Sequence, residues 1–210
     1  MAKRTLCLAL LAAVSCPAPA FTVAINAAAP KTVYLQVGVG SFNGQYQSGG
    51  TPLNNATVNK VTVSVGANVL GNGTAQAMTT DSSQANSFYD GFAFCNVPQQ
   101  LYIGGFYRTT GTGNGTVSVT ATVPAALVDT AGDKLPFSQV SWTTGGNGPL
   151  GDSTGEPFTA GTFTGGAVQT VGTIAQNHWA ESCWTFSFGN TTFPAAGTYT
   201  GRVLYTLTAP

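Results

Sequence analysis

One histidine, His178, and seven acidic side chains are the groups of this 210-residue chain best suited to proton transfer near neutral pH. Only 7% of its residues are charged, against the roughly 25% usual for a soluble domain. Gly151-Asp152-Ser153 has the shape of the start of a serine-esterase signature, and His178 would have to serve as its base. That chemistry also needs an acid behind the histidine, and no Asp lies between His178 and the C-terminus. Glycoside hydrolysis needs two carboxylates flanking one bond. Asp90, Glu156 and Glu181 are the acids that could face inward, although a solvated loop position is the plainer expectation for each. Cys183 has His178 and Glu181 near it in sequence, but an oxidising compartment would consume a free thiol there.

Metal and nucleotide chemistry are equally thin. Asp129-Thr130-Ala131-Gly132-Asp133 supplies two possible calcium oxygens with no third at useful spacing, so an Asx turn is expected. Four cysteines and one histidine are too few for Cys/His metal sites once a leader is removed. Gly146-Asn147-Gly148-Pro149-Leu150-Gly151 satisfies G-x-G-x-x-G, but Pro149 and the Gly-Asp-Ser-Thr-Gly that follows offer no helix to receive a pyrophosphate. No catalytic residue, metal or cofactor is therefore expected, and the chain reads as a non-enzyme. Removing Lys3 and Arg4 with a leader leaves five basic groups against seven acids. Such a surface has no pull on nucleic acid.

What remains is recognition by aromatic rings. Trp179 and Tyr89 stand in turn-like surroundings of Asn, Asp and His, and with Trp142 they are the candidates for stacking on a glycan. Trp184 beside Cys183, and Phe92 and Phe94 leading to Cys95, are expected in the core. Four N-x-S/T sequons occur, at Asn55, Asn72, Asn114 and Asn190; Asn72-Gly73 and Asn114-Gly115 also read as hairpin turns.

These side chains must be positioned by strands, because apolar and polar residues alternate along most of the chain. Val33, Leu35, Val37 and Val39 alternate with polar or small partners, as do Val61, Val63 and Val65, and Val117, Val119, Ala121 and Val123. Further strands are expected near 74–79, 91–95, 100–108, 136–143, 167–175, 182–188 and 198–208, and one helical turn could fall at 125–131. Glycine-rich turns separate them, with a long decorated loop from Gly145 to Gly161. Roughly ten strands spaced this way predict an all-β, antiparallel Ig-like or Greek-key sandwich.

The first twenty residues carry Lys3 and Arg4, an apolar run from Leu6 to Val14, and Ala18 and Ala20 at the positions a leader peptidase reads. The run is about half of what spanning a bilayer requires. Residues 1–20 are thus expected to be a signal peptide, 21–31 an extended N-terminal segment and 32–210 a single sandwich domain, exported to the periplasm, cell surface or exterior. Ala13-Val14-Ser15-Cys16 loosely resembles a lipobox, a minor alternative fate for the leader. Cleavage after Ala20 leaves Cys95 and Cys183, which are expected to pair.

The two ends carry a resemblance. Ala196-Gly197-Thr198-Tyr199-Thr200-Gly201-Arg202-Val203 resembles the last strand of chaperone–usher pilins, especially the alternate-class fimbrial subunits. That resemblance implies an incomplete immunoglobulin-like sandwich whose C-terminal strand meets a periplasmic chaperone and whose N-terminal extension completes a neighbouring subunit. Phe21, Val23 and Ile25 would be the donor contacts, and Tyr199, Val203, Tyr205 and Leu207 would line the acceptor side. A first edge strand is the simpler reading of residues 21–27. The wide spacing of Cys95 and Cys183, the length and the Ala209-Pro210 ending all differ from that family. The expected function is a non-catalytic structural or adhesive surface protein associating by strand addition, with a carbohydrate-binding module as the alternative.

Overall fold

The computed structural model describes residues 21–112, 115–146 and 156–209. In chain order its strands are β1 (Phe21–Ala24), β2 (Thr32–Val37), β3 (Phe42–Asn43), β4 (Thr51–Pro52), β5 (Val61–Thr62), β6 (Gln76–Ala77), β7 (Thr79–Thr80) and β8 (Leu101–Arg108). There follow β9 (Thr116–Thr122), β10 (Ala126–Val128), β11 (Lys134–Pro136), β12 (Val140–Gly145), β13 (Gly161–Thr162), β14 (Val168–Ala175), β15 (His178–Phe188) and β16 (Leu204–Thr208). The ladders are antiparallel, and the protein is an all-β sandwich, as the alternation predicts.

The larger sheet runs β13-β12-β15-β8-β2, and the eleven-residue β15 organises it. Along one edge β15 pairs with β8 at 178–182 and with β6 at 187–188. Along the other it pairs with β1 at 178–181 and with β12 at 183–188. The smaller sheet, β14-β9-β16, packs against one face of the larger one, with β14 over β8 and β15 and β16 beside β2.

Alternation explains the smaller sheet directly. On β9, Val117, Val119 and Ala121 are buried while Thr116 and Ser118 face solvent. On β16, Tyr205 and Leu207 pack with Val203 on the core, and Leu204, Thr206 and Thr208 are exposed. Between the sheets lie Ile103, Ile174, Trp142, Trp184 and Phe163, with the Trp142 and Trp184 rings 5.1 Å apart and nearly parallel.

β8 and β15 do not alternate: Leu101 to Tyr107 and Trp179 to Trp184 are buried without a break. Both faces of these strands are covered, so period two no longer separates core from solvent. Leu101, Ile103 and Tyr107 face the intersheet core, while Tyr102 and Phe106 face outward into a second apolar cluster with Trp179, Cys183, Phe88 and Phe94. Loops form the lid of this outer cluster, and the Cys95–Cys183 disulfide, with Cα atoms 5.5 Å apart, pins them to β15.

The staple therefore joins a loop to the outer face of a sheet. Trp184 points the opposite way from Cys183, into the intersheet core, because neighbours on a strand face opposite sides. Residues 91–95 form no strand; Gly91 (φ +82°) turns the chain, leaving Phe92 65% exposed and Phe94 1% exposed. The expected helical turn at 125–131 is instead half of the β10–β11 hairpin. Its turn is an Asx turn, in which Asp129 Oδ1 accepts from the Ala131 and Asp133 amides. Residues 1–20, where a leader is expected, Asn114 and residues 147–155, with Asp152 and Ser153, lie outside the described residues.

Candidate ligand-binding cleft

The floor of the outer face is a carboxylate in an aromatic cage. Glu181 is fully buried. Tyr102 Oη donates to its Oε2 at 2.6 Å and Trp179 Nε1 donates to the same oxygen at 2.9 Å. Gly104 makes this possible, since a Cβ there would lie 2.3 Å from Tyr102 Oη. Burial pushes the Glu181 carboxyl up to about 7, against the opposing pull of hydrogen bonds that include those of Tyr102 and Trp179. The cage holds the acid away from any substrate.

Two loops build the layer above. The one-turn 3₁₀ segment Tyr46–Ser48 ends at Gly49 (φ +85°). Its Tyr46 and Gln47 amides donate to the carbonyls of Phe88 and Tyr89, both at 3.0 Å. The second loop is shaped by Ser87, whose Oγ accepts from the Tyr89 amide at 3.0 Å, and by Asp90, whose Oδ1 accepts from the Phe92 amide at 3.0 Å. These backbone links set the Tyr46 and Tyr89 rings side by side, centroids 6.2 Å apart and 29° from parallel. Both rest on Trp179, at 4.9 and 5.9 Å.

An open cleft of about 440 Å³ adjoins this pair. It is lined by Ile25 and Asn26 just after β1, by Tyr46, Gln47 and Tyr89 of the two loops, and by Arg108. Arg108 is the last residue of β8 and continues the face of Tyr102 and Phe106. Its Nη1 donates to Tyr46 Oη at 3.1 Å, and its guanidinium carbon sits 5.7 Å from the Phe106 ring centre and 6.0 Å from that of Tyr46.

The sequence candidates fall in different places. Tyr89 is half-buried and lines the cleft. Trp179 is 0% exposed, and Trp142 is also buried, so neither offers a ring to a ligand. Trp179 was expected at the surface because of its Asn and His neighbours; Asn177 (φ +54°) instead makes the β14–β15 turn, and the indole is already the second residue of β15. Trp142 is spent on Trp184, and its Nε1 donates to the Thr159 carbonyl at 2.9 Å.

The strand candidates also have clear positions. Phe21 and Val23 lie on β1, which pairs with β15 of its own chain, and Val23 and Ile25 pack against the outer cluster. Val203, Tyr205 and Leu207 pack on the intersheet core, while the Tyr199 hydroxyl donates to the Ala195 carbonyl at 2.9 Å.

For acid–base chemistry the pieces are dispersed. His178 Nδ1 lies 2.8 Å from the Gln176 carbonyl, and strand alternation separates it from Glu181. Cys183 is consumed by its disulfide. Asp90 is buried and Glu156 exposed. Among the described residues no group of three or more His, Cys, Asp or Glu could hold a metal ion.

Tyr46, Gln47, Asn26 and Arg108 are the cleft residues that the sequence reading did not single out. Their signals were the amide-flanked Gln45-Tyr46-Gln47 beside Gly49-Gly50, and the rarity of any charge at all at the end of a strand. No protein-family model matches the chain, and no curated protein or solved structure matches it.

Proposed function

We propose that this protein is an exported, non-catalytic adhesive component of a cell surface that holds a glycan in the cleft between Tyr46, Tyr89 and Arg108. The observation that carries this reading is the pair of tyrosine rings, fixed by backbone bonds and open to a cleft of about 440 Å³. Clefts of that size suit small ligands, and ring faces suit the C–H faces of sugars. The Cys95–Cys183 disulfide fits an oxidising, exported environment. Among the described residues no helix is long and apolar enough to cross a membrane.

Retention on a panel of insoluble polysaccharides and immobilised oligosaccharides tests the reading. The wild type should be retained on at least one of them, and Tyr46→Ala with Tyr89→Ala should abolish retention while the fold survives. Absence of retention on every glycan would end it.

A second reading, strand addition between copies or to a periplasmic chaperone, is favoured by the edges. Among the described residues β2 pairs only with β8 and β16 only with β9, so each sheet keeps an open ladder edge. β1 is a short terminal strand that could occupy a neighbour's β15 as it does its own. Concentration-dependent, detergent-resistant ladders should disappear when residues 21–27 are deleted. A sharp monomer at all concentrations would remove this reading.

A further inference from the structure

We propose that the ligand of this cleft is an acidic sugar, whose carboxylate is received by Arg108 while its ring lies against the tyrosines. The inference rests on the glycan reading above and names the chemical class that reading leaves open.

Arg108 is the one charged side chain among the residues that line the cleft. A guanidinium presents five N–H donors in a planar fork. Here one nitrogen, Nη1, is engaged by the Tyr46 hydroxyl, and Nε is buried with no acceptor. No carboxylate pairs with Arg108 among the described residues. A half-buried cation is stabilised by a counter-charge, and a carboxylate is the partner whose planar geometry answers its fork.

The aromatic setting sharpens this. The guanidinium lies over the ring faces of Phe106 and Tyr46, which favour a cation there without neutralising it. A neutral sugar would gain from the rings and from amides such as Gln47 and Asn26, but it would leave the charge unanswered. A phosphate monoester dianion would bring more negative charge than one arginine can offset, and a sulfate ester, though a monoanion, presents a tetrahedron of oxygens in place of the planar pair that matches the fork. A monoanionic carboxylate on a ring the size of a pyranose matches the charge, the fork and the apolar faces together.

Titration calorimetry on the full, disulfide-intact protein tests this with digalacturonic and diglucuronic acids, their methyl esters and the corresponding neutral disaccharides. The methyl ester keeps the shape and removes the charge. At least one acid should bind about tenfold or more tighter than its ester, and the difference should shrink as salt is raised. Arg108→Gln should erase the preference for the acid, Arg108→Lys should restore part of it, and Tyr89→Ala should weaken acid and ester alike. Equal binding of acid and ester by the wild type, or a preference that survives Arg108→Gln, overturns the acidic-sugar inference and leaves glycan binding standing. Absence of binding by every sugar, charged or neutral, overturns both. The ester and salt comparisons use the wild type alone, so they decide the matter even if the variants fail to fold.

Discussion

Tyr102 and Glu181 meet across the β8–β15 ladder, the phenol hydroxyl donating to the carboxyl at 2.6 Å in a place no solvent reaches. The indole of Trp179 donates to the same oxygen, and no basic side chain bonds to it. An acid held this way prefers to keep its proton, and the same burial pushes the Tyr102 hydroxyl well above its ordinary range.

The stability of the protein should therefore fall as pH rises. Glu181 titrates near 7 in the folded chain and near the ordinary glutamate value when unfolded. Between those values the folded state binds more protons, so unfolding becomes easier with rising pH. The contribution is fully present below about pH 4, is lost through the folded value, and amounts to about 3 kcal/mol. Urea unfolding at pH 4.5, 6 and 8 should show the decline, and Glu181→Gln should reduce it, leaving the share of Glu156, whose carboxyl burial also pushes up to about 7. A wild-type profile that rises over this window would refute the assignment.

Reducing the Cys95–Cys183 bond frees a loop whose ends are 88 residues apart in sequence. The expected cost is about 4 kcal/mol, which lowers the melting temperature by about 8–16 °C at this chain size. Calorimetry with and without reductant measures it. The tyrosine cleft should loosen before the sandwich melts, which the near-ultraviolet aromatic signal would report as an earlier transition.

Phe92 and Phe94 are two residues apart and should behave oppositely. Phe92→Ser at an exposed ring should change stability by less than about 0.5 kcal/mol, whereas Phe94→Ala, at a ring packed on Tyr102, should cost about 3–5 kcal/mol. Chemical denaturation of both variants decides it, and equal effects would mean that this loop is not seated as described.

Asn190 clasps a distant turn. Its amide nitrogen donates to the Val69 carbonyl at 2.8 Å and to Asn72 Oδ1 at 3.0 Å, and its Oδ1 accepts from the Gly71 amide at 2.8 Å. With a φ of +54° it also sits where asparagine is tolerated better than most residues. Asn190→Ala should cost about 2–3 kcal/mol, with faster amide exchange at Gly71. An unchanged exchange rate there would contradict the clasp.

Much of the sandwich was legible because one face of each strand in the smaller sheet meets solvent. Val117, Val119 and Ala121 announce their own burial by alternating with Thr and Ser. The outer layer was not legible in the same way. Phe88, Tyr89 and Phe94 lie on a loop with no period, and their burial follows from the Cys95 staple and from the Ser87 and Asp90 turns. Trp179 misled for the converse reason: Asn177 belongs to a two-residue turn, and His178 already opens the strand that carries the indole inward. Arg108 stood in view as the end of an expected strand, but only the outer layer shows what it faces.

β1 does two jobs with one stretch of chain. It fills an edge of β15, and the residues that leave it, Ile25 and Asn26, line the cleft. Were that strand handed to a neighbouring copy, that lining would travel with it, and each pocket in the resulting chain of molecules would be assembled from two subunits. Grip on a ligand and grip between copies would then be set by the same seven residues, so tuning one by mutation retunes the other.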